Sequence, residues 1–413
     1  MKIIRLLPVI IISSLLIACT VKEKSVLNQK QMDFIEKQFE NTLAIARDYT
    51  QNPRTIKEDG SLKTVGIYNW TSGFFPGNLW YMYKLTGDEI YKNGAVKWTE
   101  VLDTIQYWSG NHDVGFMMYC SYGNGMKFAG LDYKDILVQT AESLSKRYSD
   151  KTLAIKSWDY RKAWDGKTEW FYPVIIDNMM NLELLFEASI LSGNNKYRDI
   201  AVQHAETTMK NHYRDDYSCY HVVDYDTITG AVLDKATCQG FTDESAWARG
   251  QAWGLYGYVL CYRYTKDKKF LDFAENIAEY ILHHKNLPED LVPYWDYNVA
   301  DESFVPEWQY NPADYPEIPR DASAAAITCS ALYELAGYSA NKEELLSAAD
   351  KIQEALLSPA YMAYNGKNKY FILDHSVGSI PHGVEIDVPL VYADYYLLES
   401  IYRKQQIKKE EKF

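Results

Sequence analysis

Apolar residues recur at helical spacing from residue 31 almost to the C-terminus, in twelve blocks separated by short turns. The predicted helices are 31–49, 77–85, 89–107, 116–130, 133–148, 178–192, 196–213, 244–264, 268–284, 322–336, 342–357 and 388–404. The blocks alternate in kind. One set is rich in Trp, Gly and other aromatics and starts at a polar loop, as in Pro76-Gly-Asn-Leu-Trp-Tyr-Met-Tyr. The other set is amphipathic, as in 133–148, with one apolar and one charged face. Turns such as Thr86-Gly-Asp-Glu, Ser192-Gly-Asn-Asn and Thr265-Lys-Asp-Lys separate them. Six hairpins of an all-round apolar helix with an amphipathic one predict two concentric rings, an all-α (α/α)6 barrel. An open solenoid is the competing architecture; closure is preferred because no terminal hairpin carries a polar cap. Two strand-like runs, 220–226 and 231–237, flank Thr227-Ile-Thr-Gly and predict a short β-hairpin near the mouth. In such a barrel the inner-helix N-termini and the loops before them line one mouth, and chemistry is to be sought there.

The stretch Thr237–Tyr264 delivers one such helix start. Thr242 or Asp243 is the expected N-cap, and Glu244 adds negative charge to the first turn. Arg249 and Trp253 stand four apart, which puts a guanidinium beside a flat ring on one helix face. A forked cation beside an indole suits a ligand with both a carboxylate and a flat ring, although an ordinary salt bridge and core tryptophans give the same pattern. Other loops add Asn69-Trp70-Thr-Ser-Gly-Phe-Phe-Pro-Gly, Asn111-His112-Asp113-Val-Gly-Phe, Ile155-Lys-Ser-Trp158 and Pro173-Val-Ile-Ile-Asp177-Asn-Met-Met-Asn181. The hairpin adds His221, and Gln239 follows it.

Composition narrows the partner. A net charge of -13 argues against nucleic acid and against a polybasic membrane face. With 35 Tyr and 11 Trp there is more aromatic surface than a core alone uses, which points toward sugar stacking. Residues 1–18 read as a signal sequence: Lys2 and Arg5, then an apolar run over 6–17. The junction Leu16-Ile17-Ala18-Cys19 resembles a bacterial lipoprotein box, with Cys19 the lipidated N-terminus and the only tie to a membrane. Thr20 in place of Asp favours, by the same resemblance, an outer-membrane lipoprotein facing the periplasm. Residues 19–30 are a polar spacer, and 31–413 form a single barrel domain. Neither the five remaining cysteines nor the eight histidines have metal-ligand spacing, so no metal and no cofactor are expected. Cys219 and Cys238 could face each other across the hairpin and, in an oxidising compartment, form a disulfide.

Most acidic residues at helix starts are caps, and Asp243, Asp321 and Asp387 are read that way. Asp113 and Asp177 sit instead beside apolar residues that give a charge little purpose. If they approach each other, repulsion and burial raise one pKa and leave a protonated acid near neutral pH. Asp159 and Asp165 could take either place on spacing alone.

Together, Trp-Thr-Ser-Gly-Phe-Phe-Pro-Gly, His-Asp-Val-Gly-Phe, Ile-Ile-Asp-Asn-Met-Met-Asn, Tyr-His-Val-Val, Gln-Gly and Ser-Ala-Trp-Ala-Arg-Gly-Gln-Ala-Trp resemble glycoside hydrolase family 88, the unsaturated glucuronyl hydrolases. The resemblance runs from about Gln31 to Lys404. It implies Asp177 as general acid and base, with Asp113 as its carboxylate partner. It also implies a sugar site lined by Trp70, His112, Trp158, His221, Gln239, Arg249 and Trp253, where Trp164 and Trp170 compete with Trp158. The segment His375-Ser-Val-Gly-Ser-Ile-Pro-His-Gly-Val-Glu-Ile-Asp is similar to the family too and is expected beside the leaving sugar. It contains no Lys or Arg, so no sulfate-binding cation is evident within it. The implied partners are oligosaccharides ending in an unsaturated uronate. The neighbouring unsaturated rhamnogalacturonyl hydrolases, and a non-catalytic glycan-binding lipoprotein, are the alternatives.

Overall fold

The computed structural model describes residues 26–409; the expected signal segment and Cys19 lie outside the described residues. Helices come in outer–inner pairs along the chain. They are α1 (Gln29–Ile45) and α2 (Phe74–Thr86), then α3 (Glu89–Glu100) with a broken inner rod of α4 (Val114–Met118) and α5 (Asn124–Ala129). A π-helical turn, Tyr119–Gly123, joins the two halves of that rod. Next come α6 (Lys134–Ser145) and α7 (Leu182–Ser192), α8 (Asn195–Asn211) and α9 (Ala248–Thr265). Last are α10 (Lys268–His283) and α11 (Ala322–Leu335), α12 (Lys342–Leu356) and α13 (Val391–Lys408).

Burial separates the two rings. Every residue of α11 is buried, and so is α9 from Ala248 to Cys261. Outer helices bury one stripe at three- and four-residue spacing, as with Phe270, Leu271, Ala274, Ile277, Ala278 and Ile281 on α10. Sinking each large apolar side chain is worth about 1.5–3 kcal/mol, so the stripe decides which face turns inward. The inner helices pack in sequence, α2 on α5, α4 on α7, α7 on α9, α9 on α11 and α11 on α13, and α13 returns to α2. That last contact closes the ring. The expected (α/α)6 barrel is therefore what these twelve rods build, and its core is the annulus between the two rings.

The strands cluster in the loops. The predicted hairpin is present as Val222–Tyr225 against Val232–Ala236, with Pro173–Ile175 added on its other side. Two further hairpins were not legible in the periodicity: Gln51–Ile56 with Leu62–Gly66, and Ser376–Ser379 with Val384–Val388.

Four local expectations are corrected. Helix α1 starts earlier, at Gln29, because Asn28 and Gln31 form a reciprocal capping box. Helix α9 starts later: Thr242 and Asp243 do not cap it, Trp247 holds the N-cap position, and Glu244 is exposed and pairs with Arg214 at 3.3 Å. Residues 242–245 form a turn instead, held by the buried Asp296, which accepts Phe241 N–H (2.9 Å) and the Ser245 hydroxyl (2.8 Å). Asp321 is the N-cap of α11 as read, but Asp387 lies in a strand and pairs with His375 Nδ1 at 2.6 Å. Cys219 and Cys238 are free thiols. The ladder sets Val222 opposite Ala236, which brings Cys238 opposite Tyr220 rather than Cys219, and a one-residue offset turns a side chain to the other face.

Candidate active site

Inner helices α2, α4, α9, α11 and α13, and the 3-10 turn Ile176–Asn181 that leads into α7, all begin at the same mouth. A cleft of about 420 Å³ opens there. Trp70, Asp113, Trp158, Asp177, Gln239 and Arg249 line it, each delivered by a different loop or helix start. His112, His221 and Trp253 are buried directly behind that lining.

The two carboxylates are brought together by backbone proximity. Gly115, in the first turn of α4, has no room for a side chain: a Cβ there would lie 2.4 Å from Asn181 Oδ1. Asn181 uses this closeness to stitch the two helix starts. Its Oδ1 accepts Phe116 N–H (3.0 Å), and its Nδ2 reaches Asn178 Oδ1 (3.1 Å) and His112 Nδ1 (3.3 Å). Asn178 in turn donates to the Ile155 carbonyl at 2.7 Å. Asn178 and Asn181 thus position the acidic pair, a role the sequence motif contained but did not reveal.

Each carboxyl faces a neutral imidazole. His221 Nδ1 accepts two backbone N–H groups, from Cys238 (3.0 Å) and Gln239 (3.2 Å), so its proton is on Nε2, 3.6 Å from Asp177 Oδ2. The amide of Asn181 is oriented by Phe116, so His112 Nδ1 is likewise the acceptor, and its Nε2 lies 3.3 Å from Asp113 Oδ1. Burial holds both rings neutral: His112 falls to about 3, burial being aided by the Arg147 cation. His221 falls well below the usual range for the same reason, with Arg249 adding to it.

Asp177 is pushed up to about 7, first by burial; the Arg249 cation opposes this, and the negative charge of Asp113 adds to it. The Trp253 indole N–H also acts on Asp177, in the lowering direction. Asp113 rises to about 7 by burial as well, with Asn111 and Arg147 opposing. Desolvation therefore outweighs mutual repulsion in creating the protonated acid. The competing carboxylates do not share this environment. Asp159 is exposed and, against some burial, is held low by Lys156 and Arg147, both at 3.1 Å. Asp165 is exposed and held low by the backbone N–H groups of Lys167 and Thr168.

The aromatic residues divide by exposure. Trp70 and Trp158 are half-buried and face the cleft. Trp158 meets His221 edge-on, with ring centres 6.1 Å apart. Trp164 stands behind His382 at 5.0 Å, and Trp170 is buried elsewhere with its N–H on Asp234.

Arg249 differs from the sequence reading. Its guanidinium lies over Trp247 (4.5 Å) and Tyr392 (5.5 Å), not Trp253, which is fully buried against Phe116 and Tyr396. Its Nη1 pairs with Asp321 Oδ2 at 3.1 Å and also reaches the Val377 carbonyl, while Nη2 donates to the Gly378 carbonyl at 2.7 Å. The helix turns each residue by about 100°, and four residues bring Trp253 below Arg249, into the barrel axis rather than into the cleft. Only Nε is left without a partner. Arg249 thus clamps the hairpin Ser376–Ser379/Val384–Val388 onto the mouth. The Gln239 amide assists, donating to the Gly378 carbonyl at 3.3 Å. Gly378 permits this seat, since a Cβ would come within 2.7 Å of Glu385 Cβ. His375, Glu385 and Asp387 of the same hairpin hold positive φ angles of 62°, 55° and 55°, strain of the kind found at ligand sites. Arg249→Ala should lower thermal stability as well as activity. Breaking a buried pair of this type costs about 3–5 kcal/mol, because Asp321 is left buried without its cation. An unchanged melting temperature with only KM raised would return Arg249 to the role of carboxylate binder.

The sequence reading missed Arg54, Arg161 and Tyr392 as cleft residues, whereas Ser379 and His382 come from the segment it expected beside the leaving sugar. Arg54 and Arg161 stand on short strands in loops with no periodic signal. Among the described residues one trio has metal-ligand chemistry, Glu279, His283 and Glu344, whose ligand atoms lie within 4.8 Å of one another; they are exposed on α10 and α12, and none lines the cleft.

No protein-family model matches the chain. An unsaturated glucuronyl hydrolase of Formosa agariphila is 44% identical over 98% of this chain and 99% of its own. An unsaturated chondroitin disaccharide hydrolase of Streptococcus pyogenes serotype M1 is 32% identical over 85% of each chain. Among solved structures, an unsaturated glucuronyl hydrolase specific for heparin superposes with a TM-score of 0.84 at 45% identity, covering 92% of this chain and 97% of that one. Identity of this extent spans the barrel and every loop that builds the cleft. The chain belongs to the unsaturated glucuronyl hydrolase family.

Proposed function

We propose that the protein hydrolyses glycosaminoglycan-type oligosaccharides that end in a 4,5-unsaturated glucuronate, the product of a polysaccharide lyase. One observation carries this: Asp177 and Asp113 share a cleft and both carboxyls are pushed up to about 7, so that one can keep its proton near neutral pH beside an ionised neighbour, where an ordinary carboxyl pair is fully ionised. A glycan-binding protein needs the tryptophans but not that pair. The relatives' names include both heparin and chondroitin, which supports a glycosaminoglycan fragment as substrate without choosing one.

The unsaturated ring is a flattened enol ether, suited to stacking on Trp70 or Trp158. Protonated Asp177 gives its proton to C4, and positive charge develops at C5, delocalised onto the ring oxygen. Asp113 helps keep Asp177 protonated beforehand and stabilises that charge once it forms. Water then adds at C5 and returns a proton to Asp177, so the acid is regenerated. The hemiketal opens by breaking the bond between C5 and the ring oxygen, C1 becomes a hemiacetal, and the second sugar leaves as its alcohol. His221 Nε2–H faces Asp177 and stabilises the carboxylate state between the two proton transfers. The net reaction consumes one water.

Incubation with disaccharides generated by chondroitin, heparin and rhamnogalacturonan lyases tests the reading. Loss of ultraviolet absorbance from the conjugated double bond, with release of the second sugar, is expected for glycosaminoglycan fragments. Activity confined to the pectin fragment would move the protein to the rhamnogalacturonyl class. No activity on any of them would sink the enzyme reading.

We also propose that the enzyme sits on the outer membrane, facing the periplasm, through a lipid on Cys19; the Leu16-Ile17-Ala18-Cys19 junction and the Thr20 that follows it support this. Cys19→Ser should leave a soluble or uncleaved protein, and normal processing with unchanged membrane partition would count against it.

A further inference from the structure

Arg147 is a buried guanidinium that the mechanism above does not use. It follows the last turn of α6 and stands behind the cleft rather than in its lining. Its fork is committed to backbone carbonyls. Nε donates to Lys156 (2.7 Å), Nη1 to Ser109 (2.7 Å) and Nη2 to Ser157 (3.1 Å).

These carbonyls belong to the loops that carry the acidic pair. Ser109 opens the run to Asn111, His112 and Asp113. Ser157 leads to Trp158 and also holds the strand before Asp177: its N–H donates to the Pro173 carbonyl (2.8 Å), and its Oγ accepts Ile175 N–H (2.9 Å). One side chain therefore ties the Asp113 loop to the segment that delivers Asp177. A planar guanidinium has fixed N–H directions, so three carbonyls on one fork hold a fixed spacing.

The charge on this fork is loosely matched. The Arg249 cation beside Asp177 is paired at 3.1 Å with Asp321, which is itself buried. The acidic contact of Arg147 is Asp159 (3.1 Å), whose side chain is 67% exposed and is shared with Lys156 (3.1 Å). Solvent screens that contact, and much of the Arg147 charge stays directed inward. Inward lie His112 and Asp113, where the cation favours the neutral ring of the first and the ionised form of the second.

The other groups around Asp113 leave this role to Arg147. His112 Nε2–H stands 3.3 Å from Asp113 Oδ1, and Asn111 also bonds the carboxyl, but neither carries charge. Across the cleft, Asp177 faces His221 and the paired Arg249. Arg54 is neutralised by Glu385 at 2.7 Å, and Arg161 lies over the Trp158 ring.

We propose that Arg147 is a positioning residue that assigns the proton within the pair: it keeps Asp113 the ionised member and so leaves Asp177 as the acid. This rests on the hydrolase reading above. Arg147 acts through Asp113 and touches no part of the cleft in which the sugar sits.

The test is the pH profile of kcat/KM, which reports the free enzyme, on a lyase-generated disaccharide. It is measured for the full-length wild type, Arg147→Gln, Arg147→Lys and Asp159→Asn, each checked for folding by its melting transition. The acid limb marks ionisation of Asp113 beside protonated Asp177; the alkaline limb marks loss of the Asp177 proton. Arg147→Gln makes Asp113 harder to ionise, so its acid limb should rise by roughly one pH unit, lowering kcat/KM below it about tenfold, with the alkaline limb in place. A purely structural loss would admit water to the loops, which relieves burial and moves the limb down instead. Arg147→Lys keeps the charge but not the fork: its acid limb should stay within about 0.3 pH unit of wild type while kcat/KM falls at every pH. Asp159→Asn leaves the Arg147 charge less screened and should lower the acid limb by on the order of 0.3 pH unit. An acid limb in folded Arg147→Gln that stays in place or moves down overturns the proposal and leaves the hydrolase reading standing. Should Arg147→Gln fail to fold, Asp159→Asn decides, and an unmoved or raised limb there overturns the proposal. No turnover by the wild type on any lyase-generated disaccharide overturns both.

Discussion

Asp177→Asn should reduce kcat by about 10³-fold or more while the barrel remains folded, because the proposed mechanism uses this one group as acid toward C4 and then as base toward water. The amide nearly matches the carboxyl in shape but cannot cycle a proton. A second readout separates catalysis from structure. Asp177 has a folded pKa of about 7, raised from the ordinary 3.8. Below pH 4 both folded and unfolded chains keep the proton, and the group contributes nothing to the pH dependence. Between pH 4 and 7 the unfolded chain ionises and the folded one resists, so stability falls as pH rises and stays low above 7. The Asn variant lacks this loss, so it should match wild type near pH 4 and melt higher at pH 8. Wild-type activity should decline as pH rises through about 7, where Asp177 loses its proton. Retention of more than a few per cent of kcat in Asp177→Asn would pass the role to another carboxylate. Asp113→Asn should also be severe, with the descending limb displaced, since removing the Asp113 charge lets Asp177 ionise more easily.

A saturated glucuronide of the same linkage should be inert, a difference limited only by assay sensitivity. Without a C4=C5 double bond no carbon can accept the proton from Asp177, so the enzyme's binding energy has no transition state to act on. In heavy water, deuterium should appear at C4 of the released uronate, on one face, since Asp177 approaches from one side of a fixed ring. An ordinary glycosidase protonates the bridging oxygen and leaves C4 untouched. Because the reacting bond is remote from C1, substrates of either anomeric configuration should be cleaved when the leaving sugar fits. Turnover of the saturated sugar at a comparable rate, or a product without deuterium at C4, would end the hydration mechanism. Asp113 and Asp177 would then have to act as a conventional acid and base pair.

Periodicity carried the architecture. The spacing of apolar residues on α10, or the unbroken burial of α11, follows from side chains that the chain order alone supplies, since helical hydrogen bonds are local and the period is set by backbone geometry. The hairpin Val222–Tyr225/Val232–Ala236 was legible for the same reason, as alternation around a turn. Asp113 and Asp177 stood out because a carboxyl among apolar neighbours is costly unless it has a use.

Contacts between distant segments were not legible. Arg249 and Trp253 are neighbours on a helix face in sequence, but Asp321, 72 residues away, and the carbonyls of Val377 and Gly378 captured the guanidinium. Gly115 and Asn181 brought the acidic pair together only because two inner helices start at one mouth. On spacing alone Asp159 was as good a candidate as Asp177; the fold pairs it with Arg147 and Lys156 in solvent. The sequence by itself determined the helices, their two kinds and the carboxylates worth testing, because those depend on local geometry and on the cost of burying a charge. Which charges are buried, paired or left free was decided by the tertiary structure, because desolvation and Coulomb energy depend on distances that chain separation does not set.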